Sequence, residues 1–304
     1  MPGDLKDNNM KRHITIIAAL ATLASCQKET GRIHQYGADH ICFEMHIPTT
    51  KATAQGFEIG DQVTIFSVEY NGEVAPELQI ARNFINNEIM TFDGEMWTND
   101  RILYWSDKPC DFYALYPHMN LESVEEHLFE ITADQNSSDT DGDMDGYEAS
   151  DILWAKEENV SRKDGKVKMH FRHLLSKCIV TITKGEKFEG EIPDDIVCHI
   201  YNTITDGKLN FANGSVEKDP QGKRKTITMK RVSNERFEAI IVPQNIERRT
   251  PLIEVTMGGI AYLLEYSLSF RPGYAHTINL ILNTSPDQEK IEIAIDTEAG
   301  DWRK

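Results

Sequence analysis

The side chains best suited to chemistry crowd into residues 134–151, DQNSSDTDGDMDGYEASD, the most polar stretch of the chain. Asp141, Asp143 and Asp145, followed by Gly146, match the first half of a calcium loop, with carboxylates at alternate positions and glycine at the sharp backbone turn. The second half does not follow. The twelfth position is Ile152 rather than a bidentate glutamate, Asp151 falls one place early, and no amphipathic helices flank the run. The stretch therefore predicts a hydrated acidic loop, with a loop-stiffening calcium site as the alternative; no other cofactor is implied. His40, Cys42, Glu44 and His46 are also metal-ligand types, but they alternate along one extended strand. Its rise spreads them over roughly 20 Å, too far to share one ion, so they read as a solvated strand face. His173 would be the general base of an enzyme reading. The chain carries no nucleophile elbow, no H-E-x-x-H and no paired-carboxylate motif, so it reads as non-enzymatic. Trp105, Tyr113 and Tyr116 are expected to sit in the core.

A different chemistry is written into residues 10–26, MKRHITIIAALATLASC. Lys11, Arg12 and His13 make a basic start, and residues 14–25 form an apolar run too short for a stable membrane span. Residues 1–26 read as a signal peptide, with residues 1–9 as an extended leader or a mis-set start. The ending Leu23-Ala24-Ser25-Cys26 resembles a lipobox, in which cleavage precedes the cysteine and its thiol carries a diacylglycerol. Several acyl chains anchor far better than one, because each buried methylene contributes about 0.8 kcal/mol. Cys26 is thus the predicted lipidation site, and the outer membrane the partner reached through that lipid. Cys42, Cys110, Cys178 and Cys198 remain in a compartment where disulfides persist. Three pairings are open to them, as are buried free thiols.

Without residues 1–26, 29 basic and 47 acidic side chains remain, a net charge of −18. So acidic a surface repels nucleic acid and anionic membranes, which excludes nucleic-acid binding. The remaining 278 residues suit one large β domain or two ordinary ones, and their apolar content is that of a globular chain. The longest later apolar run, residues 260–270, is interrupted by Glu265 and does not predict a membrane span.

Period-two alternation then recurs along the chain. Residues 40–47, 62–70, 88–96, 102–106 and 112–116 read as strands in the first half, separated by turn signals such as Asn71-Gly72 and closed at Pro117. A charged, turn-rich stretch at 157–165 marks the expected boundary between domains spanning 27–160 and 161–304. Beyond it, strands are predicted at 166–171, 178–182, 196–201, 209–211, 225–229, 236–242, 274–282 and 291–295. The best hairpin joins 253–257 to 260–270 over Gly258-Gly259, with Ile260, Tyr262, Leu264, Tyr266, Leu268 and Phe270 on one face. Short strands with this turn spacing predict an all-β sandwich or barrel rather than a βαβ enzyme.

The order of several local marks resembles the fimbrillin superfamily of Bacteroidetes, the Mfa-like and FimA-like pilus subunits and anchors. The marks are Gly60-Asp61, Tyr104-Trp105, Phe112-Tyr113-Ala114-Leu115-Tyr116-Pro117 and Asp151-Ile152-Leu153-Trp154-Ala155. They continue with Phe171-Arg172-His173-Leu174-Leu175-Ser176-Lys177, Ile241-Val242-Pro243-Gln244, Pro272-Gly273-Tyr274 and Trp302. Gln27-Lys28-Glu29 also begins like the acidic export tags of some lipoproteins in that phylum, with Thr30 breaking the pattern. The resemblance implies two tandem transthyretin-like Greek-key β-sandwich domains. It also implies a structural His173, bonding backbone at a bend. It further implies a surface fimbria in which other fimbrial subunits are partners by donor-strand exchange. In that scheme an Arg- or Lys-specific protease removes an N-terminal strand, and a strand of the next subunit fills the groove. Arg32 and Lys51 are the candidate cleavage positions, strand 40–47 the candidate plug and strand 291–295 the candidate donor. The alternative function is a lipid-tethered binding module that captures glycan or host protein without polymerising.

Overall fold

The computed structural model describes residues 39–47, 56–138, 144–283 and 293–302. Cys26, Arg32, Lys51, Asp141 and Asp143 lie outside them, as do Ile291 and Glu292 of the candidate donor strand. The fold is all-β, with two single-turn 3₁₀ segments, Glu148–Ser150 and Arg162–Asp164, and no α-helix among the described residues. Up to His173 the strands are β1 (Phe43–His46), β2 (Gln62–Glu69), β3 (Ile85–Phe92), β4 (Trp97–Thr98), β5 (Cys110–Tyr116), β6 (His127–Glu130), β7 (Leu153–Val160), β8 (Val167–His170) and β9 (Arg172–His173). Next come β10 (Ser176–Lys184), β11 (Val197–Ile204), β12 (Asp206–Asn210), β13 (Ser215–Lys218), β14 (Arg224–Thr228), β15 (Lys230–Ser233) and β16 (Arg236–Ile241). The last are β17 (Gln244–Ile246), β18 (Pro251–Met257), β19 (Ile260–Glu265), β20 (Leu268–Phe270), β21 (Tyr274–Leu282) and β22 (Ile293–Asp301).

The widest sheet has the order β4-β3-β2-β5-β7-β9. Its central strands, VTIFSV and CDFYALY, are buried at every position, because the sheet is covered on both faces. Alternation sorts their side chains. Val63 and Ile65 of β2, with Phe112, Ala114 and Tyr116 of β5, enter one apolar core together with Ile41, Phe43, Met45, Val167 and Met169. Phe66, Val68, Tyr113 and Leu115 enter a second core shared with β10, β11, β16, β18 and β21. One sheet is therefore the wall of two cores.

On the first side the wall is faced by a parallel pair, β1 with β8. On the second side stand a five-stranded sheet, β15-β16-β10-β21-β22, and a four-stranded sheet, β14-β11-β18-β19. Strands from the two halves of the chain interleave: β6 joins β12 and β13, while β8 and β9 pair with β1 and β7. Residues 38–304 form one compact unit.

Two predicted strands take a different form. The stretch expected at 88–96 is β3 followed by a turn into β4, since Asp93 Oδ1 accepts the backbone N–H groups of Glu95 and Met96. Tyr104, within the expected 102–106 strand, makes only a single bridge to His40. The Gly258-Gly259 hairpin forms as expected, with both glycines at positive φ (57° and 77°), values that glycine adopts without steric cost. Its second arm does not stay on one partner. β19 pairs with β18 and, after Tyr266-Ser267, β20 pairs with β17, so the chain passes from one sheet to another.

A clamp joins the wall to the β12–β13 turn. Trp154 Nε1 donates to the Phe211 carbonyl at 2.7 Å, and Arg172 lies over the Trp154 ring while donating to the Gly214 carbonyl at 2.7 Å. Gly214 has φ +65°, and a Cβ there would fall 2.4 Å from the Trp154 ring and 2.6 Å from Arg172. Gly214→Val should therefore cost about 2 kcal/mol, read from the urea midpoint. A wild-type midpoint would mean the turn moves aside freely.

Candidate functional site

Where the two cores meet, apolar packing gives way to ionisable groups lining a cleft of about 440 Å³. The turn before β2 supplies Asp61, whose carboxylate accepts the Glu58 backbone N–H at 2.7 Å while Gly60 takes φ 101° to close the turn. The end of β5 supplies Tyr116, and the 3₁₀ turn supplies Tyr147 and Glu148. β9 and β10 contribute His173 and Lys177, and Trp302 arrives from the far end of the chain. Gly273 anchors that end: its N–H bonds the Leu175 carbonyl at 2.8 Å, and its own carbonyl accepts the Trp302 N–H at 2.7 Å.

Three contacts define the electrostatics. First, Lys177 pairs with Glu238 at 2.6 Å, with both side chains almost wholly buried (3% and 7% exposed). Burial raises the Glu238 pKa, but Lys177 and then Arg236 outweigh it, so the carboxyl ends below its ordinary range. The Tyr147 hydroxyl donates to the same carboxylate at 3.0 Å, and burial drives the tyrosine pKa well up. Second, His173 Nδ1 lies 3.0 Å from Asp151 Oδ1, and its ring stacks on Trp302 at 3.7 Å and 12°. His173 thus bonds a carboxylate at its corner, not the backbone expected from sequence. Third, the Tyr116 hydroxyl lies 3.2 Å from Asp61 Oδ1 and 2.8 Å from Glu148 Oε1. A phenol has one proton to donate, so two ionised carboxylates cannot both be satisfied there. Burial raises both carboxyl pKa values, offset in part by the Glu58 N–H at Asp61 and by Tyr116 at Glu148.

Of the loop carboxylates, Asp145 is described. It accepts the Glu148 N–H at 2.8 Å and pairs with Lys230, so its oxygens serve the 3₁₀ turn and an ion pair from the loop to β15. The same polar stretch is stitched to the second core by Gln135, whose buried amide exchanges two bonds with the Ile240 backbone (2.8 and 2.7 Å). Tyr113 and Tyr116 are buried and Trp105 is half-buried. Cys42, Cys110, Cys178 and Cys198 are free thiols. Burial pushes the Cys110 pKa up to about 11 and those of Cys178 and Cys198 higher still, which makes them poor nucleophiles.

The candidate plug is β1, with short approaches on either side. Its ladder runs along β8 from Phe43↔Val167 to His46↔His170. On its other side the contacts are Ile41 N–H to the Leu103 carbonyl at 2.8 Å and Trp105 N–H to the Asp39 carbonyl at 2.9 Å. Ile41, Phe43 and Met45 are buried in the first core. The candidate donor lies in β22, an edge strand that pairs antiparallel with β21 over nine residues, Ile293 to Asp301.

An all-β chain built on a shared sheet in this way is a β-sandwich protein. A solved structure of a candidate cell adhesion protein from Bacteroides ovatus aligns over 87% of this chain and 98% of that one, at 16% identity and TM-score 0.65. Another, from Bacteroides uniformis, aligns over 86% and 98% at 19% identity and TM-score 0.62. At such identities the likeness is one of fold. No curated protein matches the sequence. The profile of the fimbrillin-like family matches residues 50–302, and the chain belongs to that family.

Two substitutions test the junction. A carboxyl whose folded pKa is raised favours the fold fully below its unfolded pKa, and that contribution is lost as pH rises through the folded value. Glu148→Gln keeps an acceptor for Tyr116 without the charge, so it should raise the melting temperature by about 1–3 °C at pH 7 and by nothing near pH 4. An unchanged or lower value at pH 7 would refute the reading. Lys177→Met should cost about 3 kcal/mol in urea unfolding by removing the buried cation from Glu238 Oε2 and leaving that carboxylate to Arg236 and Tyr147, and adding Glu238→Leu should recover part of the loss. No recovery in the double variant would show that packing around Lys177, not charge, is what matters.

Proposed function

We propose that this chain is a fimbrillin-type structural or adhesive subunit, exported as a lipoprotein on Cys26 and built into, or anchoring, a fimbria on the cell surface. In this reading the lipid holds the chain at the outer membrane as two transthyretin-like lobes, and other fimbrial subunits are joined by donor-strand exchange. Family membership supports it, as do the candidate adhesion functions named for proteins of the same fold. The observation that carries it is the seating of β1. Three buried side chains, each contributing about 2 kcal/mol, and a four-residue ladder hold this strand in a groove of the first core. A strand from another subunit with matching apolar residues would restore the same burial and the same hydrogen bonds, so exchange is close to isoenergetic.

Cleavage after Arg32 or Lys51 is the trigger in this reading, and a cut at Lys51 severs β1 from the rest of the chain. Trypsin-treated protein should form ladders on a denaturant-free gel, and deleting residues 287–304, which contain all of β22, should abolish them. Treated protein that stays monomeric, or polymers that survive the deletion, would sink the exchange model. Metabolic palmitate labelling that is present in wild type and lost in Cys26→Ala checks the lipid separately.

A further inference from the structure

The outward face of the β1–β8 pair brings together side chains that the strand pattern keeps apart. In the parallel register Glu44 stands opposite Lys168, and His46 opposite His170. Phe43, Met45, Val167 and Met169 point the other way, into the core. The His46 and His170 rings are stacked, with centroids 5.2 Å apart and planes 15° from parallel. Glu44 Oε1 lies 3.1 Å from His46 Nε2, and both side chains are nearly half exposed. With Glu44 accepting, the ring proton sits on Nε2 and the Nδ1 lone pair is left open. One ring nitrogen donating to a carboxylate and the other free is the arrangement adopted by metal-bound histidines.

We infer that His46 and His170 form a two-histidine site for a borderline divalent transition ion, Zn²⁺, Cu²⁺ or Ni²⁺, which bridges β1 to β8. Metal–imidazole bonds of about 2.0–2.1 Å place two ligand nitrogens roughly 3.3 Å apart around a tetrahedral ion. Neighbouring strands lie about 4.8 Å apart, so directly opposed histidines converge by side-chain rotation alone, with the backbone ladder unchanged. Imidazole selects these ions over the hard cations that an all-oxygen loop prefers. Water completes the coordination, and Glu44 acts as a positioning residue that holds the His46 tautomer. The chain's net charge of −17 raises the local cation concentration. The bridge closes the C-terminal end of β1, and any metal bound there adds its binding free energy to the retention of that strand. This rests on the β1–β8 pairing and not on strand exchange, so its test is read on the uncut monomer.

Calorimetric titration of the full chain with ZnCl₂, and separately NiCl₂, should show one ion bound per chain. His46→Gln and His170→Gln should each abolish that binding, and Glu44→Gln should weaken it about tenfold. All three substitutions lie on the outward face, and melting curves without metal confirm that the variants fold. Zn²⁺ should raise the melting temperature of wild type but not of the histidine variants, and should slow hydrogen exchange at the amides of β1. Absence of heat with wild type overturns the proposal. So does binding that survives in both histidine variants, which would put the ion elsewhere, as on the acidic residues 139–145.

Discussion

Everything in this molecule depends on a sheet whose central strands have no solvent face. β2, β5 and β7 each send alternate residues into two different cores, so a single strand must satisfy two packing problems with one backbone register. A one-residue slip would exchange Phe66 and Val68 for Val63 and Ile65 and misfit both cores at once. Such a sheet is strongly specified, and it couples the two sides mechanically: a shift in β5 is felt by Phe112 on one side and Leu115 on the other.

The polar junction follows from that geometry. Where the wall ends, at Tyr116 of β5 and His173 of β9, the cores can no longer close on apolar atoms alone, because backbone turns and the chain's last segment meet there. Tyr116, His173 and Trp302 supply ring surface, while Asp61, Asp151 and Glu238 accept the hydrogen bonds that the buried donors require. Buried ion pairs add little net stability over apolar packing, since desolvation offsets most of the attraction. What Lys177–Glu238 does supply is register. Lys177 on β10 and Glu238 on β16 meet only when these neighbouring strands pair as they do, and Tyr147 then locks the polar loop onto the same carboxylate. The marks that set the family resemblance, among them Gly60-Asp61, the tyrosine before Pro117, His173 with Lys177, and Trp302, converge on this one place.

Period-two alternation made most strands legible, because the core selects side chains two apart whatever the partner strand. The Gly258-Gly259 hairpin was equally clear, since its turn chemistry is local. Partners were not legible. The parallel pairings of β1 with β8 and β10 with β21 join segments far apart in sequence, and no local signal encodes them. The split of the predicted 260–270 arm was hidden for the same reason: its apolar alternation continues through Tyr266-Ser267 while the hydrogen-bonding partner changes. Among functional residues, Asp61 and Lys177 stood out only as parts of the family marks, Glu148 and Lys230 carry no pattern that distinguishes them from surface charges, and only the tertiary fold places the four in one cleft. His40, Cys42, Glu44 and His46 show the reverse. The spacing correctly separates them as a set, yet it cannot show His170 arriving from β8 beside the last of them.

The two terminal strands are held by different physics. β1 has a ladder of four residues, but with the segment leading into it three apolar anchors, Ile41, Phe43 and Met45, so side-chain burial dominates its retention. β22 has a nine-residue ladder, yet past the half-buried Ile295 its same-face positions are Thr297, half-buried and bonded to the Tyr266 hydroxyl, and the small, exposed Ala299. Backbone hydrogen bonding dominates there. An apolar anchor is satisfied by any strand with the right side chains, whereas a ladder is satisfied by nearly any extended backbone. The groove under β1 is therefore the selective one and the edge at β22 the permissive one. In an assembly that exchanges strands, the identity of the incoming neighbour would be read by the first core, through the pockets now filled by Ile41, Phe43 and Met45.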